Sequence, residues 1–173
     1  MADLLAACLI RDVPDFPKPG ILFKDITPVL ANPAALAQVV ELLTQDARSK
    51  GADAVMGIES RGFIFGTPVA MNLGVPFVPA RKLGKLPYKK LSEEYALEYG
   101  TNTIEIHEDA LNTGQRVYVV DDLLATGGTA AASARLVERL GGSVCGFGFV
   151  IELSALSGRE NLLEYPVYTL IEF

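Results

Sequence analysis

The sequence predicts an α/β fold with a mostly parallel central sheet flanked by helices, and three features carry that prediction. Short apolar runs alternate with helical patterns from residue 54 onward, the rhythm of βαβ units. The run at 116–124 contains Val-Tyr-Val-Val, apolar at consecutive positions, which suits a strand covered on both faces, and the run at 144–151 is apolar too. Half of the 173 residues are hydrophobic and 21% are charged, with a mean hydropathy of +0.29. A chain of this length can bury about 70% of its extended surface without disulfide or metal.

The elements follow in order. A first helix after Asp3 places Leu4, Leu5, Cys8 and Leu9 on one face, and the stretch Pro14-Asp15-Phe16-Pro17-Lys18-Pro19-Gly20 stops it. A second helix starts at Asn32-Pro33, a capping residue followed by proline at the first helical position. It carries Leu36, Val39, Val40 and Leu43 on one face and ends at Gly51. A strand at 54–58, a helix at 62–73 stopped by Gly74, and a strand at 75–78 come next. Residues 81–100 give no steady period and contain Gly84, Pro87 and Gly100, so they read as a long functional loop, mobile until ligand neutralises its charge. Residues 103–107 alternate like an edge strand, with His107, the only histidine, facing outward in no metal or acid–base role. The strand at 116–124 precedes an Ala-rich helix closed by Gly141-Gly142, then a strand at 144–151, a short helix near 157–163 and a last strand at 167–171. Repeats and low-complexity linkers are absent, so 1–173 reads as one domain.

Charge and cysteine usage narrow the function. A net charge of −6 and a pI of about 4.8 argue against a nucleic-acid or anionic-membrane surface, and no apolar run approaches the roughly 18 residues of a membrane span. Residues 81–90 carry five positive charges and no acid, leaving −11 for the rest of the chain, so a small anionic ligand is expected. Cys8 and Cys145 support neither a disulfide framework nor a zinc site. Met1-Ala2-Asp3-Leu4-Leu5 lacks the basic start and long apolar stretch of a secretory signal, and a reducing cytoplasmic location is expected.

The segment Val117-Tyr118-Val119-Val120-Asp121-Asp122-Leu123-Leu124-Ala125-Thr126-Gly127-Gly128-Thr129 is the most informative in the chain. In open α/β sheets ligands bind beyond the carboxyl ends of strands, and this strand ends in two carboxylates and a small-residue turn entering a helix. Gly127 and Gly128 let backbone N–H groups approach a ligand without Cβ interference, Thr126 and Thr129 add hydroxyls, and the helix start adds partial positive charge. Together they read as a cradle for one phosphate. Asp121 and Asp122 would repel that phosphate, so they face another part of the ligand, either paired ribose hydroxyls or a hydrated Mg²⁺. The bland alternative is a tight turn with two solvent-facing acids. Other nucleotide motifs fail: no Gly-x-x-x-x-Gly-Lys-Ser/Thr exists, and Gly146-Phe147-Gly148 lacks a third glycine.

This strand, acid pair and Ala-Thr-Gly-Gly-Thr turn resemble the phosphoribosyl pyrophosphate signature of the type I phosphoribosyltransferases. Four further segments resemble the adenine branch of that family: Phe16-Pro17-Lys18-Pro19-Gly20-Ile21-Leu22-Phe23-Lys24-Asp25, Glu59-Ser60-Arg61-Gly62-Phe63, Arg81-Lys82-Leu83-Gly84-Lys85-Leu86-Pro87 and Tyr95-Ala96-Leu97-Glu98-Tyr99-Gly100. The ordered match runs from about residue 12 to 160. Xanthine, hypoxanthine-guanine and orotate branches, a nucleotide-sensing regulator and a receiver-like domain are the competing readings. The resemblance implies the type I fold, with a small N-terminal hood over about residues 1–30 and a catalytic loop over about 81–100.

It also implies a reaction: adenine and phosphoribosyl pyrophosphate, with Mg²⁺ carried by the substrate and no protein metal cage, give AMP and pyrophosphate through an oxocarbenium-like transition state. Asp121 and Asp122 would hold the ribose hydroxyls, and Ala125, Thr126, Gly127, Gly128 and Thr129 the 5-phosphate. Glu59, Ser60, Arg61, Arg81, Lys82 and Lys85 would bind pyrophosphate, with Arg61 also catalytic; the alternatives are an Arg61–Glu59 surface pair and a solvated basic loop. Glu98 would exchange a proton with adenine N7, unless it is simply exposed beside Tyr99. Phe23 would stack on adenine while Ile21 and Leu22 read its edge through backbone groups, unless all three are core packing. In relatives the residue matching Arg81 reaches the neighbouring subunit's site, so a homodimer is expected.

Overall fold

The structure, a computed structural model, describes residues 4–96 and 101–173. It divides into one unit ending at Leu42 and a second from Leu43 to Phe173.

In the first unit the helix expected after Asp3 is a single 3₁₀ turn, Leu5–Cys8. Two four-residue strands, β1 (Arg11–Pro14) and β2 (Leu22–Asp25), form an antiparallel hairpin pairing Arg11 with Asp25 and Pro14 with Leu22. Cross-strand ion pairs hold it: Lys24 Nζ lies 2.7 Å from Asp12 Oδ1 and Arg11 Nη2 lies 2.5 Å from Asp25 Oδ2. Asp25 also accepts bonds from the Thr27 N–H at 2.9 Å and the Thr27 hydroxyl at 2.8 Å, opening the short helix α1 (Thr27–Leu30). The Thr27 amide, then the Arg11 guanidinium, bring the Asp25 carboxyl down to about 2. The Pro-rich connection returns on Gly20, whose φ is +86° and whose N–H donates to Asp15 Oδ1 at 2.8 Å. Helix α2 (Pro33–Ser49) starts as expected, with Asn32 Oδ1 accepting from the N–H groups of Ala34 and Ala35 at 3.1 Å each.

The second unit is a seven-stranded sheet. Its strands are β3 (Ala54–Ile58), β4 (Phe77–Lys82), β5 (Lys90–Ala96), β6 (Thr101–His107), β7 (Arg116–Leu124), β8 (Ser143–Glu152) and β9 (Val167–Glu172), in the order β5-β6-β4-β3-β7-β8-β9. Pairs among β4, β3, β7, β8 and β9 are parallel, while β6 runs antiparallel to both β4 and β5. Helices α3 (Gly62–Leu73) and α4 (Gly128–Arg139) are the crossovers, and Gly74 ends α3 at φ +70°. Every residue of β3 and all of Val117–Val120 are buried, as their consecutive apolar positions require.

Three further expectations are corrected. Residues 81–96 are not a long irregular loop: β4 runs through Arg81 and Lys82, and β5 begins at Lys90. The mixed charges that hid β5 are those of an edge strand, where Glu93 pairs with Arg135 and Arg139 of α4. The strand at 103–107 is not an edge, because β6 lies between β5 and β4. His107 does not simply face solvent either: its Nε2 is buried without a hydrogen-bond partner among the described residues, and Tyr88 lies edge-on to its ring.

Candidate functional site

The parallel strands β3 and β7 lie side by side, and the chemistry-bearing residues follow their carboxyl ends. The chain leaves β3 through Glu59 and Ser60, joined by a cis peptide, and enters α3 at Arg61. Close approach is built in at Gly62, where a Cβ would stand 2.6 Å from the Val120 carbonyl and 3.0 Å from Asp121 Oδ1. This brings Arg61 to Asp122, with 3.0 Å between Nε and Oδ2. Asp122 is buried, and the guanidinium remains partly exposed. Asp121 turns one oxygen back to the Asp122 N–H at 2.9 Å. Burial, then the neighbouring Asp122 charge, push the Asp121 carboxyl well above the ordinary range; burial also raises Asp122, against the pull of Arg61.

Beyond the acid pair the chain turns through 125–129 into α4 around a cavity of about 70 Å³, lined by Asp121, Leu124, Thr126, Gly127, Gly128 and Thr129 among others. Gly127 adopts φ +79° and offers no side chain to cap the helix. Among the described residues no protein acceptor meets the N–H groups of Thr126, Gly127, Gly128 or Thr129. Successive amides around a left-handed residue at a helix start form an anion-binding concavity.

The basic residues form a second group. Arg81 donates through Nε and Nη2 to Glu59 at 3.2 and 3.4 Å, and through Nη1 to the Lys85 carbonyl at 3.2 Å. Glu59 Oε2 also accepts the Lys82 N–H at 2.9 Å. Burial works to raise the Glu59 carboxyl, but Arg81 and the Lys82 amide bring it below its ordinary value. Lys82 and Lys85 are exposed. The turn between them is tied down by Glu105 on β6, whose buried carboxylate accepts the Gly84 N–H at 2.9 Å, pairs with Lys90 at 3.0 Å and accepts from the Ser92 hydroxyl at 3.2 Å.

The structure therefore joins Arg61 to Asp122, joins Glu59 to Arg81 and Lys82, and lines one cavity with Asp121 and the 125–129 turn. Ile21 and Leu22 are exposed and Phe23 is half-buried with its ring edge-on to Phe16 at 5.1 Å, so plain core packing does not describe that trio. Glu98 lies outside the described residues. Glu105 and Asn161, whose amide donates to the Thr126 carbonyl at 2.7 Å, were not singled out from sequence. Each touches backbone far away in the chain and belongs to no motif. No three His, Cys, Asp or Glu side chains converge as a metal cage among the described residues, nor is any helix there long and apolar enough to cross a membrane.

The chain is similar to known proteins over most of its length. The family model of the phosphoribosyl transferase domain matches residues 25–171. A Gloeobacter violaceus protein named adenine phosphoribosyltransferase is 61% identical over 157 residues, covering 91% of this chain and 92% of that protein. The crystal structure of adenine phosphoribosyltransferase from Thermoanaerobacter pseudethanolicus superposes with a TM-score of 0.94 at 54% identity, covering 97% of this chain and 98% of that one. The Saccharomyces cerevisiae enzyme, crystallised with adenine and an imino-altritol bisphosphate, superposes at 0.90 with 40% identity, covering 95% and 96% of the two chains.

Proposed function

The chain belongs to the phosphoribosyltransferase family, in its adenine branch, and from that premise we propose how its residues convert adenine and phosphoribosyl pyrophosphate to AMP and pyrophosphate. The amides and hydroxyls of Ala125, Thr126, Gly127, Gly128 and Thr129 hold the 5-phosphate. Asp121 and Asp122 accept the ribose hydroxyls, which fixes the sugar with C1 directed away from the phosphate cradle. As the C1–O bond to pyrophosphate breaks, the ribose gains oxocarbenium character and the leaving group gains negative charge. Arg61, held on Asp122, and the exposed Lys82 and Lys85 meet that charge. Glu59 acts through Arg81 and the Lys82 amide, and Ser60 completes the pyrophosphate contacts. Adenine N9 attacks C1 while Glu98 exchanges the proton at N7; Phe23 lies against the purine, and the Ile21 and Leu22 backbone reads its edge.

Mg²⁺ bound to phosphoribosyl pyrophosphate would neutralise part of the phosphate charge. Asp122 and Glu59 already pair with Arg61 and Arg81, which suits a metal carried by the substrate.

The observation that carries the function is the conjunction of an acid pair and unpaired turn amides at one strand end. Purified protein incubated with phosphoribosyl pyrophosphate, Mg²⁺ and each nucleobase in turn should yield the nucleoside monophosphate only with adenine. Product from another base alone, or from none, overturns the assignment.

A homodimer and a cytoplasmic location belong to the same proposal, as does action as one domain, since the family model crosses the boundary at Leu42. Helix α3 has no charged residue and exposes Ile64, Thr67 and Met71 on one face, which supports the dimer. All three guanidinium nitrogens of Arg81 are engaged within the chain, so a reach into the partner's site exchanges the Glu59 contact for pyrophosphate.

A further inference from the structure

The 125–129 turn is not self-supporting. It leans on the 3₁₀ turn Gly158–Leu162, where a Cβ on Gly127 would stand 2.3 Å from the Gly158 carbonyl. From that neighbouring turn Asn161 Nδ2 donates to the Thr126 carbonyl at 2.7 Å. In a trans peptide the carbonyl and the next N–H point in opposite directions. A hydrogen bond that pulls the Thr126 carbonyl outward therefore turns the Gly127 N–H inward, toward the cavity. The supporting turn is itself clamped: Arg159 forks onto the buried carboxylate of Glu152 at the end of β8, with Nε 2.8 Å from Oε1 and Nη2 2.7 Å from Oε2.

We propose that Asn161 is a positioning residue for the 5-phosphate, holding the Thr126–Gly127 peptide in the orientation that binds phosphate, on a segment fixed by the Arg159–Glu152 pair. The inference rests on the reading of 125–129 as the phosphate cradle. Asn161 touches no reacting atom; it acts on affinity for any ligand that places a phosphate monoester in the cradle, and not on the purine.

The test compares wild-type protein with Asn161→Leu, which keeps the side-chain size and removes the donor at an exposed position. Calorimetric titration with ribose 5-phosphate and with AMP should show about fivefold weaker binding in the variant, equivalent to about 1 kcal/mol. The KM for phosphoribosyl pyrophosphate should rise by a similar factor, with the KM for adenine and the Tm unchanged. Wild-type protein that binds ribose 5-phosphate, beside a variant that binds it equally well, overturns the role of Asn161 alone. Equal losses in both KM values, or a fall in Tm, reduce Asn161 to general structural support and also overturn it. Wild-type protein that binds neither probe overturns the cradle reading itself, and this inference with it.

Discussion

Gly127→Ala perturbs the cradle at its tightest point, and Gly74→Ala supplies a matched control. Both glycines are left-handed, at φ +79° and +70°, so each substitution brings the strain of an L-residue in that region, about 1 to 2 kcal/mol. Around Gly74 a Cβ meets nothing within 4 Å, so strain is the whole effect. At Gly127 the same atom would stand 2.3 Å from the Gly158 carbonyl, where ordinary contact begins at 3.4 Å. The two backbones must separate by about 1 Å, an overpacking displacement that adds about 1 to 3 kcal/mol, and the 2.7 Å Asn161–Thr126 bond that orients the cradle does not survive it. With about 2–4 °C of Tm per kcal/mol for a domain of this size, Gly74→Ala should lose a few degrees and Gly127→Ala about twice as much. Ribose 5-phosphate titration separates them further: unchanged affinity in Gly74→Ala and at least about a tenfold loss in Gly127→Ala. Equal Tm and equal ribose 5-phosphate affinity in the two variants would refute the reasoning, because contact with Gly158 would then be irrelevant to the cradle.

Three further outcomes follow from the site. Asp121 has a folded-state carboxyl raised by burial and by Asp122, so its contribution to stability is fully present below the unfolded value near 3.8 and is lost as pH rises through the raised folded value. Asp121→Asn should therefore increase the Tm at pH 7, lose that advantage below about pH 4, and weaken phosphoribosyl pyrophosphate binding; a Tm unchanged at pH 7 would contradict the burial argument. Glu98→Leu should lower kcat by about two or more orders of magnitude in steady-state assays while phosphoribosyl pyrophosphate still binds, and near-normal turnover removes Glu98 from the mechanism. Phe23→Ala should raise the adenine KM about fivefold or more, from about 1 to 3 kcal/mol of lost stacking, with the phosphoribosyl pyrophosphate KM unchanged; an unaltered adenine KM rejects the stacking role.

Strand β3, helix α3 and strand β7 begin and end where the sequence pattern puts them, because buried parallel strands are uniformly apolar and α3 stops at a left-handed glycine. Hairpin β1–β2 was not legible: four residues per strand are too few for a period, and its register rests on ion pairs such as Lys24–Asp12. Edge strand β5 was masked by charges that find partners on α4. The acid pair and glycine turn were legible because they are contiguous in sequence. The support of that turn was not, since Asn161 lies 35 residues from Thr126 and meets only a backbone atom there; nor was Glu105, which holds the turn between Lys82 and Lys85 through the Gly84 N–H from 21 residues away. Glu105 also occupies a position that simple alternation assigns to solvent, and its buried carboxylate is enclosed by the Gly84 N–H, the Lys90 ammonium and the Ser92 hydroxyl.

The account stands most directly on a crystal structure of the protein with AMP. The phosphate oxygens should accept hydrogen bonds from backbone N–H groups of residues 126–129, with the ribose hydroxyls on Asp121 and Asp122. A phosphate bound away from that turn, or a ribose that leaves both carboxylates untouched, contradicts it.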